Sequence, residues 1–317
     1  MSNYRDLEAY CESQFFHGGP YWHIYTPGFE TPVLFGVKED YVFAMNLICQ
    51  AAMATDGVGI LAFEVMSNHL HIVVSGEESS ARMFFAFLEK RLRRCAKTLT
   101  CKEIPSSFTA RYKEIDSLQS LRNTIVYVNR NGYVADRNYT PFSYPWGTGK
   151  YYFGGAGADG ADAFLNVNER RRLFRGRAGI LPEKYPIIDG YVTPSSYCNL
   201  ELGMSLYRDA HHYFYMVSKN VEAYGEMAVE LNDGEYLTDT ELVSQVMRFL
   251  YSDYNVNSLR DLSKTQKYDF ARRLRFEFRS SNEQIRRVLN LTSAEVNAIF
   301  PLTAKKLCSS RFSGAES

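Results

Sequence analysis

The sequence predicts an α+β protein: a mixed region built on an antiparallel sheet, then a mostly helical region. Three observations carry that expectation. Short β-branched and aromatic runs alternate with amphipathic runs up to about residue 131. A Gly/Ala-rich stretch, "YYFGGAGADGADAF" (151–164), interrupts them. From about 238 to about 300 the apolar spacing is helical.

"YWHIYTPG" (21–28) reads as a strand ending at Pro-Gly, and "KEDYVFAMNLICQAAMATDG" (38–57) as a helix ending on glycine. "GILAFEVM" and "HLHIVVSG" are apolar runs separated by Ser67-Asn68, a two-residue hairpin turn. "SSARMFFAFLEKRLRRCAKTL" (79–99) has a Ser N-cap and a basic second half. A strand follows at 107–115 and a helix at 117–131. The order β-α-β-β-α-β-α is the ferredoxin-like split βαβ pattern with one extra helix. The expected domains are 1–153, a linker or accessory segment 154–237, and a helical region 238–317.

A 317-residue chain is long enough for two domains, and 45% hydrophobic residues suit a sizeable core. The 36 Lys and Arg balance the 36 Asp and Glu, so nucleic-acid binding would depend on local patches. Cysteines 11, 49, 95, 101, 198 and 308 form no C-x-x-C pair, which points to reduced thiols in the cytoplasm and no zinc module. The polar N-terminus predicts no signal peptide, and no apolar run approaches membrane-spanning length.

His69 and His71 bracket one leucine in "FEVMSNHLHIVVSG" (63–76). Residues i and i+2 of a strand share a face, so both imidazoles project together and could hold one metal ion, or sit as satisfied core histidines. Tyr127 and Asn131, four apart, share a helix face. That helix can lie across the sheet and bring a phenol and an amide to the imidazoles; the plainer alternative is packing for Tyr127 and a helix C-cap for Asn131. If Ser67-Asn68 is the turn, Glu64 lies opposite His71, beside the metal site or as an extra ligand. A bulge would instead send Glu64 to solvent.

The run "VMSNHLHIVV" resembles the signature of the HUH (His-hydrophobic-His) single-tyrosine transposases, nearest their REP-associated branch. Met66, Ser67, Asn68, His69, Leu70 and His71 match, with the small residue Ser67 where proline is usual. A second block, "YVNRNGYVADRNYTPFSYPWGTGKYYF" (127–153), places Tyr127 on the nucleophile, Asn131 on the metal-binding amide and Tyr144-Pro145-Trp146 on a third motif. Gly132-Tyr133 stands where Pro-Val is usual. The resemblance covers roughly 20–153 and implies transesterification of single-stranded DNA through a 5′-phosphotyrosine. The metal, Mg²⁺ or Mn²⁺, would sit on His69, His71 and Asn131; two imidazoles suit manganese at least as well as magnesium.

Arg82, Lys90, Arg91, Arg93, Arg94 and Lys97 could meet phosphates or form a solvated face. Tyr139, Phe142, Tyr144, Trp146, Tyr151 and Tyr152 could stack on bases or pack. "NEQIRRVLNLTSAEVNAIF" (282–300) has the pattern of a helix-turn-helix, with Ser281 as N-cap, 293–297 in the groove and Arg286 and Arg287 beside it; the alternative is a plain bundle. Expected partners are single-stranded or hairpin DNA, no membrane, and a monomer or homodimer, nucleoid-associated. The rival functions are an idle DNA-binding regulator and a replication initiator or relaxase.

Overall fold

The computed structural model describes residues 2–28, 31, 33–99, 103–106, 108–135, 139–140, 142–154, 162–164, 166–174, 184–219, 231, 239–276, 278, 280 and 282–300. The chain divides into two compact units, Met1–Tyr236 and Leu237–Ser317. Among the described residues no helix is long and apolar enough to cross a membrane.

In the first unit the order is α1 (Ser2–Gly18), β1 (Tyr21–Tyr25), α2 (Lys38–Ala54), β2 (Gly59–Val65), β3 (Leu70–Ser75), α3 (Glu78–Leu99), β4 (Arg111–Ile115) and α4 (Leu118–Ala135). The four strands form one antiparallel sheet in the order β2-β3-β1-β4. Each helical crossover therefore passes a strand that lies between the two it joins. The hairpin closes at Ser67-Asn68 as its turn chemistry implies, with Met66 N–H donating to the His69 carbonyl at 2.9 Å.

The pleat sorts the side chains. Ile24, Phe63, Val65, Leu70, Ile72 and Val74 face α2 and α3 and form one core. On the other face, Tyr21, Ala62, Val73 and Ile115 pack under Leu121, Ile125 and Val128 of α4. Helix α1 was not foreseen. It buries Cys11 and half-buries Phe15, while Tyr4, Tyr10 and Phe16 point outward, so no clean apolar stripe marks it. Helix α4 runs four residues past its expected end, which rules out the C-cap alternative for Asn131.

The region after 153 belongs to this unit. It holds β5 (Asp162–Phe164), α5 (Val167–Phe174), β6 (Lys184–Ile188), β7 (Tyr191–Val192), α6 (Leu200–Ser205) and α7 (Ala210–Lys219). Leu206, Tyr207, Tyr213, Met216 and Val217 lie in the α4-side core. Arg122 of α4 donates to the Leu206 carbonyl at 2.6 Å and pairs with Glu8 of α1 at 2.6 Å. Asn129 donates to the Tyr213 hydroxyl at 3.0 Å and accepts from Thr148 at 2.8 Å. The back of α4 is thus fixed by segments distant in sequence. Removing everything after residue 155 should leave an insoluble or unfolded product, because it strips Leu206, Tyr213 and Val217 from that core. A cooperative melt of residues 1–155 would overturn this expectation.

The second unit contains α8 (Asp239–Tyr254), α9 (Lys264–Phe276), α10 (Asn282–Leu289) and α11 (Ser293–Ile299). Ile285, Val288, Leu289, Leu291 and Val296 are buried together, and Ile299 packs partly buried against them. Asn290 takes a left-handed φ of 52°, and Leu291 N–H reaches back to the Arg286 carbonyl at 3.0 Å, which ends α10 sharply. Thr292 and Glu295 then cap α11 reciprocally. Ser281, the expected cap of α10, lies outside the described residues.

Candidate active site

The strand period and the hairpin register bring the candidate residues to one face of the sheet. Glu64 is the Cα partner of His71, so the carboxylate and the imidazole share the α4 side, and the bulge falls farther along, between Ile60 and Ala62. Helix α4 lies over β2 and β3. The His71 ring meets the Tyr127 ring edge-on at 5.4 Å and the His69 ring edge-on at 4.9 Å. His69, His71, Tyr127, Asn131 and Glu64 are each 0–2% exposed.

The His69 tautomer can be assigned. Asn68 spends its amide N–H groups on the carbonyls of Gly28 at 2.7 Å and Thr31 at 2.8 Å, so its oxygen must face the other way. That oxygen lies 2.6 Å from His69 Nδ1. His69 therefore donates Nδ1–H to Asn68 and carries its lone pair on Nε2. Gly28 permits this packing: a β-carbon there would stand 2.8 Å from His69 Nδ1. The sequence signal for this role of Asn68, beyond its place in the turn, is its position next to the histidine.

Glu64 is enclosed. Burial pushes its carboxyl well above the usual carboxylate range, and the backbone N–H groups of Gly132 and Asn131 pull it partly back. Its Oε2 is buried without a hydrogen-bond partner among the described residues. Glu64 so ties β2 to the stretch of α4 that carries Asn131. Glycine at 132 has a packing reason, because a β-carbon there would fall 2.5 Å from Glu64 Oε1 and nearer still to the Tyr144 ring. The side chain of Tyr133 lies outside the described residues.

The donor set fits a transition-metal ion in part. Two imidazoles sharing one ion at about 2.1 Å each have ring centres about 5 Å apart, and the His69 and His71 rings are 4.9 Å apart. A cation nearby would also answer the unmet Glu64 oxygen. Among the described residues, no three His, Cys, Asp or Glu side chains gather closely enough to hold a metal ion, so Glu64 is not drawn in with both histidines. The candidate donors are then the two imidazoles and the amide of Asn131, whose backbone N–H bonds Glu64, the strand partner of His71.

The expected DNA contacts fare differently. Lys90 and Arg94 are exposed, and the Lys97 side chain lies outside the described residues. Arg82 pairs with Glu78 and covers the Tyr112 ring at 4.4 Å. Arg91 donates to Gln50 at 3.0 Å. Arg93 is already engaged within the fold: it pairs with Glu89 and donates to the carbonyls of Ile104, Pro105 and Phe108, holding the loop before β4. Trp146 is corrected too. It is buried between Tyr41 (5.1 Å, stacked) and Tyr191 (5.9 Å), and its carbonyl accepts from Val65 N–H at the edge of β2. Tyr144, Tyr151 and Tyr152 are likewise core, whereas Phe142 is 38% exposed.

In the second unit Arg287 forms a two-pronged pair with Asp239 (2.6 and 3.0 Å), and Arg286 is half-buried. Lys264, Arg272 and Arg273 pair with Glu295, Asp269 and Asp253. Much of the basic character of this unit is therefore engaged by its own acids.

No family model and no curated protein matches this chain. Among solved structures it is similar to that of a REP-associated tyrosine transposase bound to a REP hairpin, at 12% identity over 44% of this chain and 82% of that chain, with a TM-score of 0.32.

Proposed function

We propose that this protein is a tyrosine-nucleophile enzyme of the HUH kind, on a ferredoxin-like sheet, that cuts and rejoins single-stranded DNA with a divalent metal. The observation that supports it best is the convergence of Tyr127, His71 and His69 on one sheet face, with the His69 Nε2 lone pair fixed by Asn68. His69, His71 and Asn131 would hold Mg²⁺ or Mn²⁺, which when bound polarises a non-bridging phosphate oxygen and neutralises its charge. Tyr127, whose phenol is a weak nucleophile until deprotonated, attacks phosphorus as its proton leaves. The Oη–P bond forms, the bond from phosphorus to the 3′-oxygen breaks, and that oxygen takes up a proton. The reverse step joins a free 3′-hydroxyl to the tyrosyl phosphate. Glu64 holds the Asn131 turn of α4 against β2.

Manganese titration by calorimetry tests the site. His69→Ala and His71→Ala should each lower affinity at least about tenfold, since each removes one of only two strong ligands. Asn131→Ala should lower it less, because a neutral amide is the weakest of the three. Equal affinity in wild type and all three variants would sink the site.

DNA reading by the second unit is part of the same proposal: α10, the Asn290 turn and α11 make a helix-turn-helix with 293–297 as its reading segment. The target would be a hairpin-forming repeat beside the cleavage site. Residues 1–236 alone should bind such a repeat more weakly, with a salt slope shallower by about 2, for the loss of two or three phosphate contacts. A soluble 1–236 fragment with unchanged affinity and slope would remove that role.

The burial of all five site residues favours one second reading, a DNA-binding regulator whose chemistry is idle. A manganese-dependent covalent adduct with single-stranded DNA separates the two.

A further inference from the structure

His71 Nδ1 lies 3.2 Å from Nε2 of a third histidine, His23, which no motif pointed out. His23 stands on β1, the neighbour of β3, and is 1% exposed. Its ring stacks against His71 at 5.3 Å and approaches Tyr127 edge-on at 6.4 Å. One hydrogen bond between two imidazoles has two possible directions. If His23 donates from Nε2, His71 accepts at Nδ1 and a neutral His71 carries its proton on Nε2, which cannot then coordinate. If His71 donates from Nδ1, its Nε2 carries the lone pair and can take a ligand. Histidines that bind metals give their second ring N–H to a fixed acceptor, and that acceptor sets tautomer and ring orientation.

We propose that His23 is a positioning residue for the metal site: its Nε2 accepts Nδ1–H of His71, holding His71 in the tautomer that presents Nε2. His23 does for His71 what Asn68 does for His69, and the two partners come from different elements, β1 and the hairpin turn. The proposal rests on the metal-site reading above. It adds that the pair is prepared before any ion arrives, by two Nδ1 acceptors that are themselves buried or anchored.

Two measurements on the full-length protein test it. In ¹⁵N-edited spectra without metal, His71 should show a protonated Nδ1 and a bare Nε2; protonated Nε2 in the wild type overturns the proposal. His23→Leu should shift His71 toward the Nε2–H form and lower Mn²⁺ affinity by about 10- to 100-fold, the usual loss for such a partner. His23→Gln places an amide oxygen within reach of the same position and should recover most of that affinity. A leucine variant that binds Mn²⁺ like wild type overturns the role of His23 and leaves the metal site standing. If the wild type binds no Mn²⁺ at all, the metal reading fails, while the spectra still decide whether His23 orders His71. If the leucine variant does not fold, the wild-type spectra and the glutamine variant decide: a bare Nε2 in both supports the proposal, and a protonated one overturns it.

Discussion

Tyr127→Phe should abolish the covalent protein–DNA adduct and slow cleavage by at least about 10³-fold, the scale of losing a nucleophile. Only one oxygen is lost. The ring keeps its edge contact with His71 and its place in the core, so the variant should melt near the wild type and bind a hairpin within about twofold of it. The assay is incubation of single-stranded oligonucleotides with Mn²⁺ and separation under denaturing conditions. A phenylalanine variant that still forms the adduct would show another nucleophile. Tyr25 is the structural candidate for that part, because it is the Cα partner of His71 across β1 and β3 and its ring stacks 6.3 Å from the imidazole. Tyr25→Phe should therefore leave the adduct intact if Tyr127 is the nucleophile.

Gly132→Ala should cost about 1–3 kcal/mol of stability, the range for overfilling a packed site, and should disturb the site at the same time. Helix propensity alone favours alanine by about 1 kcal/mol, so a net loss identifies the clash. The obstacle is rigid on both sides. Tyr144 is buried, and its hydroxyl donates to the Val65 carbonyl at 2.8 Å. Glu64 is enclosed against the Asn131 and Gly132 N–H groups. Either side chain must move to admit one methyl group, and moving Glu64 releases the turn of α4 that carries Asn131. Thermal melting and Mn²⁺ affinity should both fall. An alanine variant as stable as the wild type would mean that Tyr144 swings aside at no cost, and the reason for glycine here would be lost.

The sheet was legible because short β-branched and aromatic runs sit between Gly, Pro or Ser punctuation, and side chains along any strand alternate with period two. His69, His71 and Glu64 could be placed from that period and from one turn assignment. Tyr127 and Asn131 needed only helical spacing. His23 was not legible, because its relation to His71 depends on β1 pairing with β3, 48 residues away. The internal contacts of Trp146 and Arg93 were hidden for a common reason. A sequence shows that a side chain can stack or carry charge, but not that Tyr41, Tyr191 or three loop carbonyls already occupy it. The support given to α4 by Leu206 and Tyr213 was hidden in a segment whose short elements have no strong period.

The closure of the site has a kinetic consequence. Tyr127 is 1% exposed and both proposed ligand histidines are at 1% or below, yet a phosphodiester is bulky and arrives with a strand on either side. Passing single strands cannot be cut by a hydroxyl they cannot touch. If the proposed chemistry holds, admission of DNA precedes bond-making, and opening of the site can set the turnover rate. On the proposed chemistry, the buried hydroxyl would stay silent toward any strand that had not first been admitted.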